Sequence, residues 1–355
     1  MKFTIAKSTL ESLLVNTQPF LEKKDTSQIT SHVLLIVNDN EMIIKATDKE
    51  IGLKTTTKHV DIQSDGKATA NGKKLLDIIR ILKEDKITLE TVEDTLHIKQ
   101  NNSKFKLPMF NTEEFPMFPN LDNLPSIELN SMELIQMFKK VSPAIDTNNP
   151  KYELNGALLN IKEDKIDIVG TDTRRLAIGK IENSNNQTLS MIIPKKAIIE
   201  IQKLFFDQIE MFYNETNLII KTPEHYFFTH LINGKYPDYE RIVPKNLKFT
   251  LSLPKSKIIE SIKQVTTISQ EIKITFENNS IVFESLGEEN SEAKTQIEFN
   301  TKFNENFTLA VSSKYLLDFL GQIDSEEFNI GLNESNLPFV VKSGNFYTVI
   351  MPIIV

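Results

Sequence analysis

Two short motifs carry the residues best suited to acid–base chemistry. Asp48 and Asp172 each follow a threonine, in the strings KATDKE and VGTDTRR. Two carboxylates at one site can act as general acid and general base in a hydrolase. A Thr-Asp pair at the same point of two repeated segments has a simpler interpretation, a shared turn in which the aspartate accepts backbone N–H groups. A hydrolase that uses Asp48 or Asp172 stays open as the enzymatic alternative.

The remaining candidates for chemistry are weaker. The five histidines are spaced unlike metal ligands, and we interpret them as structural, either exposed or with satisfied hydrogen bonds; they are His32, His59, His97, His225 and His230. The sequence contains no GxxxxGK[ST], GxGxxG or GxSxG motif. The pairs Glu113–Glu114 and Glu288–Glu289 lie in polar stretches and are typical of solvated charge. We predict a protein that is not an enzyme and that uses no metal or cofactor.

Composition limits the class of protein. The chain has 355 residues, of which 40% are hydrophobic, which is enough for a core in each of two or three domains. No apolar run is long enough for a membrane span or a signal peptide. Cysteine is absent, so disulfides and thiolate metal sites are excluded. These features predict a soluble, cytoplasmic, multidomain protein.

A strand followed directly by an amphipathic helix recurs along the whole chain. The stretches are MKFTIAKSTLESLLVNT, ATANGKKLLDIIRIL, SIELNSMELIQMFKKV, LSMIIPKKAIIEIQKLF, FTLSLPKSKIIESIKQV and FTLAVSSKYLLDFLGQI. Each is followed by short alternating segments, so each third of the chain reads as two copies of strand–helix–three strands. We predict an α+β fold with three similar domains at 1–122, 125–245 and 247–355, joined by Pro- and Asn-rich linkers at 115–126 and 236–248.

The charge is unevenly distributed. The whole chain carries −7, whereas the six helix-bearing segments carry +7, so the rest of the chain carries −14. Basic helices on an acidic body create a local positive surface that the net charge conceals. Lysine is also an ordinary residue for solvated helix faces, and the charge pattern alone does not decide between the two interpretations.

Several strings resemble the bacterial DNA polymerase III β subunit, the sliding-clamp family. The opening MKFTI with its helix is similar to that family's start, and GTDTRRLAI resembles its T-D-G-H-R-L-A signature. NGKYPDYERIVPKN resembles the F-P-D-Y-x-R-V-x-P string, and TVIMPI the V-x-M-P ending. The resemblance runs in order through all three thirds of the chain.

The resemblance implies a clamp fold in which two chains join head to tail into a ring around duplex DNA. The DNA-facing positions expected from it are Lys24, Lys73, Lys74, Arg80, Lys139, Lys140, Tyr152, Lys195 and Lys196. The family often has a second aromatic residue beside Tyr152, where this chain has Glu153. The dimer contact is expected to join Phe105 and Leu107 of the first domain to Ile268 of the third.

The resemblance also implies a hydrophobic groove that binds short peptides from the DNA polymerase III alpha subunit, the clamp loader and other proteins with a clamp-binding motif. The expected groove residues are Leu154, Thr171, Thr173, Arg174, Arg175, Leu176, Pro237, Arg241, Ile242, Pro338, Val349, Met351, Pro352 and Ile353. Two features depart from the family: Thr173-Arg174 replaces its Gly-His pair, and the chain ends in Ile353-Ile354-Val355. An acidic, repeat-built scaffold that binds proteins and never meets DNA is the non-enzymatic alternative.

Overall fold

The structure is a computed structural model that describes residues 1–38, 40–183, 188–206, 209–287, 291–301 and 303–354. The Glu288–Glu289 pair and Val355 of the sequence analysis lie outside the described residues. In the described part of the chain, no helix combines the length and the apolar character needed to cross a membrane.

The predicted strand–helix repeat is confirmed in all six places. The helices of the described residues are α1 (Lys7–Thr17), α2 (Gly72–Ile81), α3 (Ser131–Val141), α4 (Lys195–Leu204), α5 (Lys255–Val265) and α6 (Ser313–Leu320). Each begins at the residue after a strand ends, apart from α3, which begins one residue later.

The strands follow the predicted grouping with one addition, the short β5. The first third has β1 (Lys2–Ala6), β2 (His32–Asn38), β3 (Glu41–Thr47), β4 (Ile51–Thr57), β5 (Asp61–Ser64), β6 (Gly66–Asn71), β7 (Lys86–Val92), β8 (Thr95–Gln100) and β9 (Ser103–Pro108). The middle third has β10 (Ser126–Leu129), β11 (Gly156–Ile161), β12 (Lys165–Thr171), β13 (Arg175–Glu182), β14 (Leu189–Pro194), β15 (Ile209–Tyr213), β16 (Asn217–Lys221) and β17 (His225–His230). The last third has β18 (Phe249–Pro254), β19 (Glu271–Phe276), β20 (Ser280–Ser285), β21 (Lys294–Glu298), β22 (Phe307–Ser312), β23 (Glu327–Leu332), β24 (Phe339–Ser343) and β25 (Phe346–Ile350).

The chain forms two compact units. Unit 1 comprises Met1–Met132 and Lys203–Leu231, and unit 2 comprises Glu133–Gln202 and Ile232–Val355. These units differ from the three repeats because sheets are built from strands of successive repeats. The middle repeat therefore contributes to both units, and the repeat boundaries stay a prediction from the sequence.

Unit 1 contains sheets with the strand orders β5-β1-β7-β8-β9 and β10-β15-β16-β17-β4-β3-β2-β6. The longer sheet joins two repeats through antiparallel pairing of β17 with β4, in which Phe228 lies opposite Gly52. Successive side chains of a strand point to opposite faces, and consecutive apolar residues are buried in β2 and β3, so both faces of these strands are covered. The short amphipathic helices α1 and α2 cover part of this core.

Helix α2 illustrates how the sequence produces these elements. Asn71 caps the helix, since its side chain accepts the Lys74 N–H at 3.0 Å. Leu75 and Ile79 are fully buried, and each such side chain contributes about 1.5–3 kcal/mol of hydrophobic stabilisation. Gly72 lets the helix approach closely, because a Cβ there would lie 2.4 Å from a Leu21 methyl carbon.

Unit 2 repeats the arrangement. Its sheets have the orders β14-β11-β12-β13-β25-β24-β23-β18 and β21-β20-β19-β22. The longer sheet joins the middle and last repeats through β13 and β25, with Leu176 opposite Val349. Helix α3 packs on one face of this sheet, where the side chain of Met137 occupies the space above Gly179.

His32 is structural, as the sequence suggests, but one of its ring nitrogens is not satisfied. The residue is 5% exposed, and its ring centroid lies 4.5 Å from that of Phe110. Its Nδ1 has no hydrogen-bond partner among the described residues. Burial, helped by the charge of Lys74, lowers the pKa of His32 from 6.5 to about 4.

This depressed pKa predicts a specific pH dependence of stability. The unfolded chain takes up the proton near pH 6.5 and the folded chain only near pH 4, so stability is fully present above pH 6.5 and is lost as the pH falls towards 4. We expect the free energy of unfolding to fall across this window by at least about 1 kcal/mol more in the wild type than in a His32→Phe variant. Urea unfolding at several pH values measures this, and superimposable pH profiles would contradict it.

Candidate functional sites

The turn between β12 and β13 is held by side-chain hydrogen bonds. Thr171 Oγ1 donates to the Arg175 carbonyl at 2.6 Å. Asp172 Oδ1 accepts the backbone N–H groups of Arg174 and Arg175 at 3.0 and 2.9 Å. These bonds replace the sheet pairing that the backbone loses at the turn.

The turn between β3 and β4 has the same pattern. Thr47 Oγ1 donates to the Ile51 carbonyl at 2.9 Å. Asp48 Oδ1 accepts the N–H groups of Glu50 and Ile51, both at 3.0 Å. The interpretation of the Thr-Asp repeats as turns is therefore confirmed, and their role in closing turns removes the reason for assigning the two aspartates to hydrolysis.

Thr173 occupies a strained position in the first of these turns. Its φ is +73°, a left-handed conformation that is unfavourable for a β-branched residue. The resemblance noted in the sequence implies glycine at this point, and glycine adopts this φ without steric cost.

We expect Thr173→Gly to stabilise the protein by about 1 kcal/mol, because it removes this strain. Chemical denaturation of purified protein measures the change. Lys49, at the same point of the other turn with φ +81°, is the matched comparison, and Lys49→Gly should stabilise less because lysine is not β-branched. A Thr173→Gly variant less stable than the wild type would contradict the expectation.

Arg175 is buried and makes ionic contacts inside unit 2. Its side chain is 2% exposed and contacts Asp172 Oδ2 at 3.1 Å and Asp318 Oδ2 at 2.6 Å. It also donates to the Pro143 carbonyl, and its guanidinium lies 4.6 Å from the Tyr315 ring centroid. Each of the three guanidinium nitrogens thus donates to a group of its own chain.

This position differs from the groove role expected from the sequence. Successive residues of a strand point to opposite faces of the sheet, so Arg175 and Leu176 lie on different faces of β13. Arg175 points to the helix-covered face of the sheet, where it contacts Asp318 of α6 and the Pro143 carbonyl. It supports the turn from behind instead of lining the groove.

The opposite face of the same sheet, called the groove face below, is apolar. Leu176 lies opposite Thr171 on β12 and Val349 on β25, and Val349 lies opposite Val340 on β24. Paired residues point to the same face, so these four side chains form a row across the sheet. The buried cluster on this face comprises Leu154, Leu158, Val169, Leu176, Ile178, Ile192, Ile232, Tyr236, Tyr239, Val340 and Val349.

The segment 236–242 crosses the groove face and supplies one wall. Pro237 is half-buried, and Ile242 is 44% exposed. Arg241 is 87% exposed and pairs with Asp238 at 2.7 Å. The segment therefore presents apolar surface with a charged rim, as peptide-binding sites do.

The C-terminal segment supplies the other wall. The Met351 N–H donates to the Arg174 carbonyl at 2.9 Å, and the Ile353 N–H donates at 2.8 Å to a carbonyl of β22. Met351 is 40% exposed, while Pro338, Pro352 and Ile353 are half-buried. An exposed methionine beside half-buried prolines offers adaptable apolar surface to a ligand.

The structure thus brings most of the expected groove residues to one face of unit 2. Thr173 and Arg174 are exposed at the turn that ends this face. Leu154, which the sequence alone could equally place in an ordinary core, is 2% exposed and belongs to the buried cluster. Leu154, Leu176 and Val349 therefore form the floor, and the more exposed positions form the walls.

The expected DNA-facing residues of unit 1 lie near a cleft between α1 and α2. The cleft has a volume of about 810 Å³, and its lining includes Lys73, Lys74 and Arg80. Arg80 is half-exposed and lies 3.6 Å from Glu11. Lys24 is exposed in the loop after α1, next to Lys23 of the lining. This surface has the positive character expected of a contact with phosphates.

In unit 2, Lys139 is exposed in the last turn of α3, and Lys140 is half-buried with its Nζ 5.9 Å from the Phe346 ring centroid. Tyr152 is 62% exposed at the start of a short 3-10 helix before β11. Lys139 and Tyr152 are therefore available to a partner, while Lys140 also packs on its own sheet.

The two lysines at the start of α4 differ from each other. Lys195 is half-buried and donates to the Ile145 carbonyl at 2.5 Å, and burial lowers its pKa. Lys196 is exposed. Lys195 thus ties α4 to the segment after α3, a role that differs from the DNA contact expected of it.

The expected dimer residues lie at or near sheet edges. Phe105 and Leu107 are on β9, the edge strand of its sheet. Phe105 is half-buried, whereas Leu107 is 7% exposed and packs into the core of unit 1. Ile268, which follows α5, is 44% exposed. Phe105 and Ile268 are accessible, and Leu107 supports β9 from inside.

One polar cluster beside the groove was missed by sequence reasoning. Asp167 is 1% exposed on β12, where it accepts from the Tyr239 hydroxyl at 2.8 Å and from Lys162 Nζ at 3.1 Å. The sequence does contain a sign of this residue. In the strand KIDIVGT, Asp167 is a charged residue two positions before Val169, so it lies on the same face as that apolar side chain.

These features define a class of protein in which repeated sheet-and-helix halves form a clamp-like fold and an apolar groove receives partners. The family models for the DNA polymerase III beta subunit match almost the whole chain: the N-terminal domain at 1–121, the central domain at 128–238 and the C-terminal domain at 240–354. The chain belongs to the DNA polymerase III beta subunit family.

Curated relatives and solved structures agree with this assignment. The chain is 41% identical over 351 residues to the beta sliding clamp of Helicobacter pylori strain 26695, covering 96% of this chain and 94% of the relative. It is 28% identical over 357 residues to the beta sliding clamp of Buchnera aphidicola, covering 97% and 96%. The crystal structure of the Helicobacter pylori beta clamp bound to a DNA ligase peptide matches with a TM-score of 0.95 and 40% identity, over 100% of both chains. Members of this family are non-catalytic processivity factors.

Proposed function

We propose that this chain is a sliding clamp that encircles duplex DNA and holds the replicative polymerase on its template. The observation that carries the proposal is the match to all three domains of the beta subunit family along the chain. A ring around DNA needs no strong phosphate contacts, because topology prevents its loss. Weak contacts let it slide, since tight binding of many phosphates would hold it in place.

The ring consists of two chains in head-to-tail contact. Such a contact is heterologous, and it closes only when the rotation between copies completes a circle. The proposed contact surfaces are the edge strand β9 with Phe105, and Ile268, which follows helix α5 where that helix packs on the edge strand β21. Edge strands offer unpaired backbone groups to a neighbouring chain, which supports pairing at these places.

The positive surfaces face the DNA. Lys73, Lys74 and Arg80 around the cleft of unit 1, with Lys24, Lys139, Lys196 and Tyr152, are the proposed contacts. Lys140 and Lys195 contribute charge while also binding their own chain. The acidic remainder of the chain repels DNA from other surfaces.

The groove face receives short peptides with apolar anchors. Its proposed partners are the DNA polymerase III alpha subunit, the clamp loader and other proteins with a clamp-binding motif, including a DNA ligase of the kind bound by the Helicobacter pylori clamp. Tethering raises the local concentration of a bound polymerase to the order of mM, so processivity requires no chemistry from the clamp.

We also propose the domain limits 1–122, 125–245 and 247–355, which the repeats of the sequence support. The proposed location is the cytoplasm, where a bacterial chromosome is replicated, and the lack of cysteine suits that reducing compartment.

The decisive experiment loads the chain onto nicked circular DNA with a clamp loader and ATP, and then linearises the DNA. A clamp should stay on the circle and leave through the cut ends. Retention on linear DNA would indicate ordinary DNA binding. Failure to load, with normal binding of peptides, would favour the acidic scaffold. Native mass provides the control, because a persistent monomer contradicts the ring.

A further inference from the structure

The wall segment 236–242 is attached to the groove face through a saturated tyrosine hydroxyl. The Tyr239 hydroxyl donates to Asp167 Oδ2 at 2.8 Å. It accepts from Asn160 Nδ2 at 3.1 Å and from Lys162 Nζ at 3.3 Å. One donated and two accepted hydrogen bonds use the full capacity of a hydroxyl group.

The charged members of this cluster are themselves fixed. Lys162 directly follows β11, and its Nζ contacts Asp167 Oδ2 at 3.1 Å and Glu240 Oε1 at 2.6 Å. It therefore joins β12 to the wall segment. Tyr239 is 6% exposed, and burial raises its pKa to about 12. The hydroxyl therefore stays protonated at neutral pH and keeps donating to Asp167.

A second tyrosine attaches the same segment three residues earlier. Tyr236 is 8% exposed, and its hydroxyl donates to the Val169 carbonyl at 3.3 Å. Pro237 and Asp238 lie between the two attachment points, and Ile242 follows them. The position of the wall along the sheet is thus set at two points.

We infer that Asp167, Lys162 and Tyr239 form a polar clasp that positions the peptide-binding wall, so that they are positioning residues for partner binding. The inference rests on the proposed function of the groove. The clasp does not touch the peptide; it acts through Pro237 and Ile242. A wall already held in place does not have to be ordered when the peptide binds, and this lowers the entropic cost of binding.

The linker of unit 1 is held differently. Its FPMFP string aligns with the YPDYE string of unit 2, and in this alignment Phe118 takes the position of Tyr239. Phe118 packs on Phe228 at 4.9 Å and lies under Lys45 Nζ at 5.4 Å. Phe228 in turn fills the space above Gly52, where a Cβ would lie 2.2 Å from its ring.

A phenyl ring and one hydrogen bond, from the Tyr226 hydroxyl to the Pro119 carbonyl, therefore hold a linker of this type without a charged cluster. The cluster of the Tyr239 hydroxyl, Lys162 and Asp167 occurs instead at the linker that forms the groove wall. Its cost is considerable, because Asp167 Oδ1 is buried without a hydrogen-bond partner among the described residues. A role of the cluster in positioning the wall segment explains why this unfavourable burial is present.

The test compares Tyr239→Phe with Tyr226→Phe in the full-length chain. Tyr226 is the matched control, since its hydroxyl donates to the Pro119 carbonyl and so attaches the linker of unit 1. The probe is a fluorescent form of the DNA ligase peptide bound by the Helicobacter pylori clamp, with affinity measured by anisotropy. We expect Tyr239→Phe to weaken binding about tenfold, equivalent to about 1.4 kcal/mol, and Tyr226→Phe to change it less than about twofold.

A double-mutant cycle with Ile242→Ala separates positioning from general stability. If the clasp acts through the wall, Tyr239→Phe should cost less than about twofold once Ile242 has been truncated. Hydrogen exchange at residues 236–242 should be faster in Tyr239→Phe and unchanged in Tyr226→Phe.

The clasp would be contradicted if the wild type and Tyr239→Phe bound the peptide with equal affinity. It would also be contradicted if Tyr239→Phe caused the same loss of affinity in the Ile242→Ala background. Either result would leave the proposed groove intact. A wild-type chain that does not bind the peptide would overturn the groove, and the clasp's role with it.

Discussion

Replacement of Arg175 by alanine should destabilise the protein by about 2–3 kcal/mol, because it removes a buried guanidinium that binds two part-exposed carboxylates and the Pro143 carbonyl. The Arg175 side chain is 2% exposed, and it contacts Asp172 and Asp318, which are 20% and 27% exposed. Asp318 also contacts Lys314 at 2.8 Å, so it keeps one cation in the variant. Urea unfolding of the purified protein measures the change. The loss should exceed that of an ordinary surface substitution several-fold.

Arg174→Ala is the matched control, since Arg174 is adjacent in sequence but exposed. It should lie within about 0.5 kcal/mol of the wild type. If both variants unfold at the same urea concentration, the contacts of Arg175 do not have the energetic role assigned to them.

Met351→Glu should weaken peptide binding about a hundredfold while leaving stability nearly unchanged. Met351 is 40% exposed, so a charge there costs little in the free protein. In the complex the carboxylate would be buried against an apolar anchor of the peptide without a partner, which is a strongly unfavourable position. Anisotropy with the DNA ligase peptide measures the loss.

Ile354→Glu provides the comparison, because Ile354 is 83% exposed and lies three residues further along the same segment. It introduces the same charge with less effect on the groove, and we expect less than about a threefold change in affinity. Equal losses in the two variants would indicate a long-range charge effect and would argue against Met351 as part of the wall.

Much of the fold follows from local sequence patterns. The strand–helix units can be recognised in the sequence because the spacing of their apolar residues changes from alternating to helical. One such change occurs where β6 ends at Asn71 and α2 begins. The turn role of Asp48 and Asp172 also follows locally, since Asx hydrogen bonds involve residues two or three positions apart.

Features that depend on contacts between residues far apart in the sequence could not be predicted from such local patterns. The direction of Arg175 depends on where β13 begins, and a shift of one residue moves the side chain to the other face. The contact of Lys195 with the Ile145 carbonyl joins residues fifty positions apart, and nothing near Lys195 in the sequence signals it. The partition into two units was hidden for the same reason, because pairing of β17 with β4 connects different repeats.

The sharing of sheets between repeats determines how the chain can be divided. A fragment limited to the middle repeat would lack β4, the partner of β17, and β25, the partner of β13. Both strands would then become open edges rich in apolar residues, the kind of surface on which proteins aggregate. In this chain the repeat is a unit of sequence, whereas each compact structural unit combines strands from two repeats.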